Sequence, residues 1–397
     1  MKDNILIIGG LGHIGLPLGL IFANKGHDVC LFDNNQNNKE MILNGHLPFI
    51  EEKGDVYLNK AIRNKKIVIN NKNMIIKKYK HVIICIGTPI DEYLNPKTDD
   101  FLRAIDSFIP FFKKSQNIII RSSIFPGVCD LVYSKLKKKK ITNLTYCPER
   151  IVQGKSIVEI PYLPQIISGY NNNSIKKTSN LFLSITKKII ISSVREAELI
   201  KLFSNAWRYL GFSIANQFMQ ISEKEGINYE GLRLKLVEGY ERNKNIPKAG
   251  FAAGPCLLKD TMQLSSFSKD KSGIFSMAML INEGFTDYYL EKIKSEFGKK
   301  KIKVGILGMA FKQDVDDIRD SLSFKLKKQL ELNGYIVVCS DYNIDKYTYK
   351  EQKLINECQS IIIAVPHKSY EKIKIPKSKF LIDTWGITKH GKRQNQR

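Results

Sequence analysis

The sequence predicts an α/β protein: two Rossmann-like doubly wound domains joined by a long central helix and a helical middle domain. Three observations carry this. Short apolar runs at 4–9, 28–33, 81–86, 117–121 and 165–168 are spaced by segments long enough for crossover helices, and repeated βα units build a parallel sheet. Between Arg195 and about Glu225, Leu199, Leu202, Phe203, Ala206, Leu210, Ile214, Phe218 and Ile221 recur at three- and four-residue steps. No proline interrupts them and Gly211 is the single glycine, so the stretch reads as one amphipathic helix. The strand–turn–helix theme then returns: KVGILGMAF (303–311), a helix over 322–332, and strands at 335–341, 360–365 and 379–383. In both halves a strand ends in aspartate, Asp33 and Asp341.

At ~150 residues per domain, 397 residues accommodate two or three domains. We place them at 1–194, 195–297 and 298–397, the last boundary falling in the lysine-rich GKKKIK at 298–303. A 43% hydrophobic content excludes a disordered chain. The net charge of +24 admits nucleic acid, an acidic membrane surface or a phosphate-bearing ligand. No recognition-helix signature or interleaved basic and aromatic motif supports nucleic acid. The bulk of the charge, including KLKKKK at 135–140, follows from a composition rich in Lys, Asn and Ile. Seven scattered cysteines without a C-x-x-C argue against a metal site or disulfide framework and for a reducing, cytoplasmic setting. The apolar stretch 5–23 carries five glycines and a proline, which reads as neither a signal peptide nor a membrane span, and no other stretch approaches ~20 apolar residues.

Gly10-Leu11-Gly12-His13-Ile14-Gly15 is a G-x-G-x-x-G directly after a predicted strand and ahead of a helix, with Asp33 at the end of the next strand. That context makes it a dinucleotide fingerprint. Gly10 is expected to make the tight turn, Gly12 to let the backbone approach the pyrophosphate, and Gly15 to pack helix on sheet. His13 and Ile14 count with the cofactor contacts. Asp33 would accept from the ribose hydroxyls, and with Asn34 and Asn35 following and no arginine for a 2′-phosphate, the cofactor read here is NAD.

Glu198, Lys201, Asn205 and Arg208 share a polar stripe on the long helix, which alone fits a solvated salt-bridged face. Gly254-Pro255-Cys256 is more informative. Proline suits the first helical position, placing Cys256 in a first turn whose dipole, with Lys259 nearby, favours the thiolate. Asp260 lies one turn further on. A nucleophilic thiol with a neighbouring carboxylate follows, whereas Cys30, Cys85 and Cys339 sit in apolar strands as small core residues.

In this order the motifs GGLGHIGLPLG (9–19), GHLPFIEEKG (45–54), GTP (87–89), SSIFPG (122–127), CPERIVQG (147–154), EAELIKLFSNAWR (196–208), AGFAAGPCLLKDT (249–261), GMAFKQDVDDIRDS (308–321) and DTWG (383–386) closely resemble the UDP-glucose/GDP-mannose dehydrogenase family. The resemblance implies an NAD-dependent four-electron oxidation of a nucleotide-sugar C6 alcohol to the carboxylate, through a cysteine thiohemiacetal and thioester, in surface polysaccharide synthesis. It implies Cys256 as nucleophile, Lys201 and Asn205 at the developing oxyanion, Asp260 positioning water, Glu149 as general base, and Ser123 beside them. Thr88, Ser123, Lys259 and Arg319 would contact the cofactor. Glu149, Lys201, Asn205, Asn245, Ala249, Gly250, Phe251, Ala253, Gly254 and Lys312 would contact the nucleotide sugar, and the long helix would form a homodimer.

Two departures stand out. Ala253 replaces a glycine usual in the family, which would restrict positive φ and fill space beside the sugar. Ser123 replaces a usual threonine and keeps the hydroxyl. A UDP-sugar (UDP-glucose or a UDP-N-acetylhexosamine) is favoured over GDP-mannose. A one-step β-hydroxyacid dehydrogenase is the competing enzyme class, opposed by the third domain and by Gly254-Pro255-Cys256.

Overall fold

The computed structural model describes residues 2–269 and 273–388. It forms two compact units, Met1–Ser204 and Asn205–Arg397. The first contains β1 (Asn4–Ile8), α1 (Gly15–Asn24), β2 (Asp28–Phe32), α2 (Gln36–Leu43), α3 (Gly54–Arg63), β3 (Ile67–Asn70), β4 (His81–Ile84), α4 (Thr98–Phe108), β5 (Asn117–Ile120), α5 (Val128–Lys138), β6 (Leu144–Tyr146), α6 (Ser156–Glu159), β7 (Gln165–Gly169), α7 (Asn172–Leu183) and β8 (Ile189–Ile191). α8 (Val194–Lys224) carries the chain into the second unit.

The sheet order is β3-β2-β1-β4-β5-β6-β7-β8, so its first six strands follow the dinucleotide-binding order and reverse direction of growth between β1 and β4. The central strands are apolar runs buried on both faces. Ile5, Ile7, Leu31 and Ile83 pack under α1, while Leu6, Cys30, Val82 and Ile118 face the other layer. That double coverage is why these strands lack polar alternation. The sheet is not wholly parallel: β7 pairs antiparallel with β6. The connection between them carries the short helix α6 and returns the chain beside β6 in the opposite direction. Three short strands, β3, β6 and β8, were not among the sequence-predicted ones; each has three or four residues.

The second unit holds α9 (Tyr229–Val237), α10 (Leu257–Ser268) and α11 (Ile274–Phe297), then β9 (Lys303–Leu307), α12 (Leu322–Leu332), β10 (Ile336–Ser340), α13 (Glu351–Glu357), β11 (Ser360–Ile363) and β12 (Phe380–Asp383). Its sheet, β10-β9-β11-β12, is parallel throughout. Phe285, Tyr289, Ile306, Leu326 and Ile362 join the helices to one face of this sheet, and Leu354, Ile361 and Tyr370 cover the other. Among the described residues no helix is long and apolar enough to cross a membrane.

Candidate active site

In the first unit the glycine turn leaves the sheet where the strand order reverses. The left-handed residue of the turn is Gly9, φ +77, one position ahead of the fingerprint's first glycine. A Cβ on Gly9 would lie 2.6 Å from the Cys85 carbonyl oxygen, and one on Gly10 2.7 Å from the Ile7 carbonyl oxygen and Leu31 Cα. Gly10, within the same turn, is thus also required for close packing on β2. A Cβ on Gly15 would meet the Gly9 carbonyl at 2.2 Å, so this glycine lets the start of α1 lie close against the turn. A Cβ on Gly12 has nothing nearer than 3.6 Å, so the bare backbone there borders open space that a Cβ would fill. Ile14 is the N-cap of α1 and no side chain caps the helix, leaving its terminus suited to an anion.

Asp33 Oδ2 accepts from Leu11 N at 3.1 Å and Oδ1 from Asn35 N at 3.1 Å. Asn38 Nδ2 donates to the Leu11 carbonyl at 3.1 Å. The turn is thereby fixed with the carboxylate beside it, and these residues fit NAD. His13 lies on Phe49 with ring centroids 4.1 Å apart and meets Gln153 at 3.3 Å. The Thr88 hydroxyl donates to the Ser123 carbonyl, linking the turn after β4 to the loop after β5.

Glu149 is buried. One carboxylate oxygen accepts from Arg150 N (2.7 Å) and Ile151 N (3.1 Å); the other takes Arg121 Nη2. Sequence reasoning missed Arg121. It is fully buried, donates also to Gln165 Oε1 (2.9 Å) and the Cys147 carbonyl (3.1 Å), and lies 4.9 Å from the Phe182 ring. Its signal was an arginine closing the apolar run NIIIR, where a charge persists only if paired.

On α8 the burial pattern departs from the simple amphipathic reading. Lys201, Asn205 and Glu198 are buried, while Phe203, Trp207, Ile214, Phe218 and Ile221 are exposed. Leu202, Ala206, Tyr209, Ala215 and Met219 fill the core instead, so apolar residues occupy more than one face. Glu198 accepts from Gly127 N (2.8 Å) and Cys129 N (3.1 Å) at the start of α5; burial pushes its carboxyl up against these bonds. Arg208 is exposed and separates from the stripe.

In the second unit Cys256 is the N-cap of α10, φ −114, so it sits one position earlier than the first-turn expectation and Pro255 precedes the helix. It is the one exposed cysteine of the seven. The others are inert by burial: Cys85 and Cys339 are pushed up to about 12, and Cys30, Cys147 and Cys358 to about 11. Asp260 N donates to the Cys256 carbonyl at 2.9 Å. The Asp260 carboxylate is fully buried. Oδ2 accepts from Asn205 Nδ2 at 2.6 Å, and Oδ1 faces Lys259 Nζ at 3.2 Å with no hydrogen bond among the described residues.

Of the predicted substrate loop, Ala249, Gly250 and Phe251 are buried and Asn245 is exposed. Gly250 N donates to Asn216 Oδ1 (2.8 Å), and Asn216 Nδ2 returns a bond to the Gly250 carbonyl (3.1 Å); Asn216 was a second omission, indistinguishable in sequence from any helical asparagine. Gly254 has φ +101, and a Cβ there would lie 2.3 Å from the Phe311 ring. Ala253 does not have positive φ, so, contrary to expectation, its Cβ strains no left-handed backbone there. Lys312 Nζ lies 5.8 Å from the Phe311 ring centroid. Arg319 pairs with Asp317 at 2.6 Å, which raises the guanidinium's proton affinity.

A Rossmann turn built for NAD in one unit, and an exposed thiol at a helix start in another Rossmann-containing unit, define a nicotinamide-dependent dehydrogenase. The chain belongs to the UDP-glucose/GDP-mannose dehydrogenase family, matching its NAD-binding domain at residues 3–186, central domain at 195–283 and UDP-binding domain at 305–390. It is an NAD-binding oxidoreductase of nucleotide sugars. Over 95% of its length, and 91% of the relative's, it is 30% identical to a UDP-N-acetyl-D-mannosamine dehydrogenase of Methanocaldococcus jannaschii. Among solved structures, the Pyrococcus horikoshii UDP-D-ManNAc dehydrogenase superposes with a TM-score of 0.89 at 25% identity, covering 97% of this chain and 96% of that one. A UDP-glucose dehydrogenase of Pyrobaculum islandicum shares the fold, with a TM-score of 0.90 at 20% identity, 99% and 96% coverage.

Proposed function

We propose that the protein oxidises the C6 alcohol of UDP-N-acetyl-D-mannosamine to the carboxylate, using two NAD per sugar. The M. jannaschii relative supports this sugar. The observation that carries the chemistry is Cys256: exposed, at the start of α10, with the Asn205-held carboxylate of Asp260 one turn away.

NAD, when bound, accepts an electron pair in each of two oxidations. The Cys256 thiol adds to the aldehyde carbon from the first oxidation, its proton passing to the carbonyl oxygen. The resulting thiohemiacetal becomes a thioester by losing a hydride, for which a second NAD would be the acceptor, and its hydroxyl proton, which passes to solvent. Water then cleaves the C–S bond, releasing the carboxylate and restoring the thiol. A cation and an amide donor suit the developing oxyanion, the roles of Lys201 and Asn205. Glu149 serves as base for water, with the Ser123 hydroxyl beside it, and Asp260 orients the water through Oδ1. Thr88, Lys259 and Arg319 serve the cofactor. The loop 245–254 and Lys312 serve the nucleotide sugar.

In this reading 1–194, 195–297 and 298–397 act as cofactor, central and nucleotide-sugar domains of a cytoplasmic homodimer that supplies surface polysaccharide. The exposed Phe203, Trp207, Ile214, Phe218 and Ile221 on α8 support a partner on that face; Trp207→Glu with Ile214→Glu is expected to give a monomer by light scattering. Oxidation of UDP-N-acetyl-D-mannosamine by the pure protein, with NADH counted against carboxylate, tests the activity. Two NADH per carboxylate is expected. A single NADH, or turnover of a free hydroxyacid instead, overturns the reading.

A further inference from the structure

We propose that His367 is a positioning residue for nucleotide-sugar recognition: with Asp341 it fills the backbone N–H cradle of the turn after β9 and fixes the segment presenting Phe311 and Lys312. This rests on the reading of Lys312 as a nucleotide-sugar contact.

Both Rossmann-like sheets set a strand-end aspartate beside a glycine turn, but the two aspartates behave differently. Asp33 takes one N–H of its turn, from Leu11, and stays partly exposed. Asp341 is fully buried. Its Oδ2 accepts from Met309 N at 2.7 Å and Ala310 N at 2.9 Å, and its Oδ1 from Asn343 N at 2.9 Å. Successive backbone N–H groups after the first strand are the donors a dinucleotide phosphate uses. In the second sheet an internal carboxylate already occupies them. That carboxylate fixes the start of the turn that carries Phe311 and Lys312.

His367 closes the arrangement from the loop after β11. It is fully buried, with Nε2 3.2 Å from Asp341 Oδ2 and Nδ1 accepting from Asp314 N at 2.9 Å. A neutral ring with its proton on Nε2 satisfies both contacts. One nitrogen thus holds the 309–310 end of the turn through Asp341. The other holds Asp314, a non-glycine residue at φ +53, a conformation that persists only where its surroundings impose it. Phe311 and Lys312 lie between these anchors. Phe311 in turn occupies the space that a Cβ on Gly254 would need, so the same turn bounds the loop ahead of Cys256. His367 is too buried to touch a ligand, and its effect runs through the turn.

The test is calorimetric titration of UDP into full-length His367→Ala, His367→Gln and Lys312→Ala, with NAD titration reporting the fold of the first unit and initial rates separating KM from kcat. For His367→Ala the UDP Kd and the nucleotide-sugar KM are expected to rise about tenfold, with NAD affinity and kcat retained. Glutamine, which can both donate and accept, should recover part of the loss. If the alanine variant does not fold, the glutamine variant carries the test, with weaker UDP binding and unchanged NAD binding expected. Parental UDP binding in a His367 variant that binds NAD overturns the positioning role, while weakening in Lys312→Ala alone leaves the reading of Lys312 standing. Parental binding in Lys312→Ala as well overturns both.

Discussion

Asn205 donates its side-chain amide to the buried carboxylate of Asp260 at 2.6 Å, tying α8 to the first turn of the helix that begins at Cys256. The contact makes Asn205 both a candidate donor to the reaction and a support for the water-orienting carboxylate. Asn205→Ala leaves Asp260 Oδ2 buried without that partner. Stability is expected to fall by about 1–3 kcal/mol in urea unfolding, and kcat by about two orders of magnitude. Unchanged kcat would remove Asn205 from the mechanism.

Arg121 and Glu149 form a buried ion pair in the first unit. Removing one member of such a pair strands the other charge. Arg121→Leu is expected to lose about 3–5 kcal/mol, against a smaller loss for Arg121→Lys, which keeps the charge but not the fork that reaches Gln165 and the Cys147 carbonyl as well. Thermal unfolding of the two variants side by side checks the order.

Gly254→Ala demands positive φ of an alanine and drives its Cβ into Phe311. A cost of about 2 kcal/mol or more is expected, with loss of turnover. Ala253→Gly, one residue earlier and not at positive φ, is expected to cost no more than about 1 kcal/mol of stability. Equal effects of the two substitutions would refute the placement of strain at Gly254.

His27, just ahead of β2, and His81, the first residue of β4, lie at the N-terminal ends of the strands, opposite the glycine turn. Burial lowers both, His81 to about 4. The unfolded chain takes up a proton near 6.5, while folded His81 resists until about 4. Stability contributed by the neutral ring is therefore complete above the unfolded value and is lost as pH falls from about 6.5 towards 4. Asp3, whose carboxyl is lowered despite burial by its bond to Lys80 and by the histidines, loses its contribution only at lower pH. Denaturant unfolding at pH 7 and pH 5 should show the decrease, and His81→Leu should flatten it.

The strands and the glycine fingerprint were legible because buried parallel strands are near-continuous apolar runs and because close backbone approach demands glycine. The faces of α8 were not. Its apolar residues exceed one stripe, and periodicity alone does not say which of them this chain buries: Leu202 and Ala206 do, Phe203 and Trp207 do not. The echo between Asp33 and Asp341 was legible, but not that Asp341 fills its own turn, because His367 arrives from 26 residues further along the chain. Arg121 escaped notice because its partners, Glu149 and Gln165, come from other strands and loops. Pairings of this kind are set by sheet order, which local pattern does not encode.

Covalent capture by Cys256 is the central claim, and mass spectrometry of enzyme quenched during turnover of UDP-N-acetyl-D-mannosamine with NAD tests it most directly. A sugar-nucleotide adduct on the peptide containing Cys256 is expected, abolished in Cys256→Ala together with carboxylate formation. An adduct-free enzyme, with Cys256→Ala still producing the carboxylate, would contradict it.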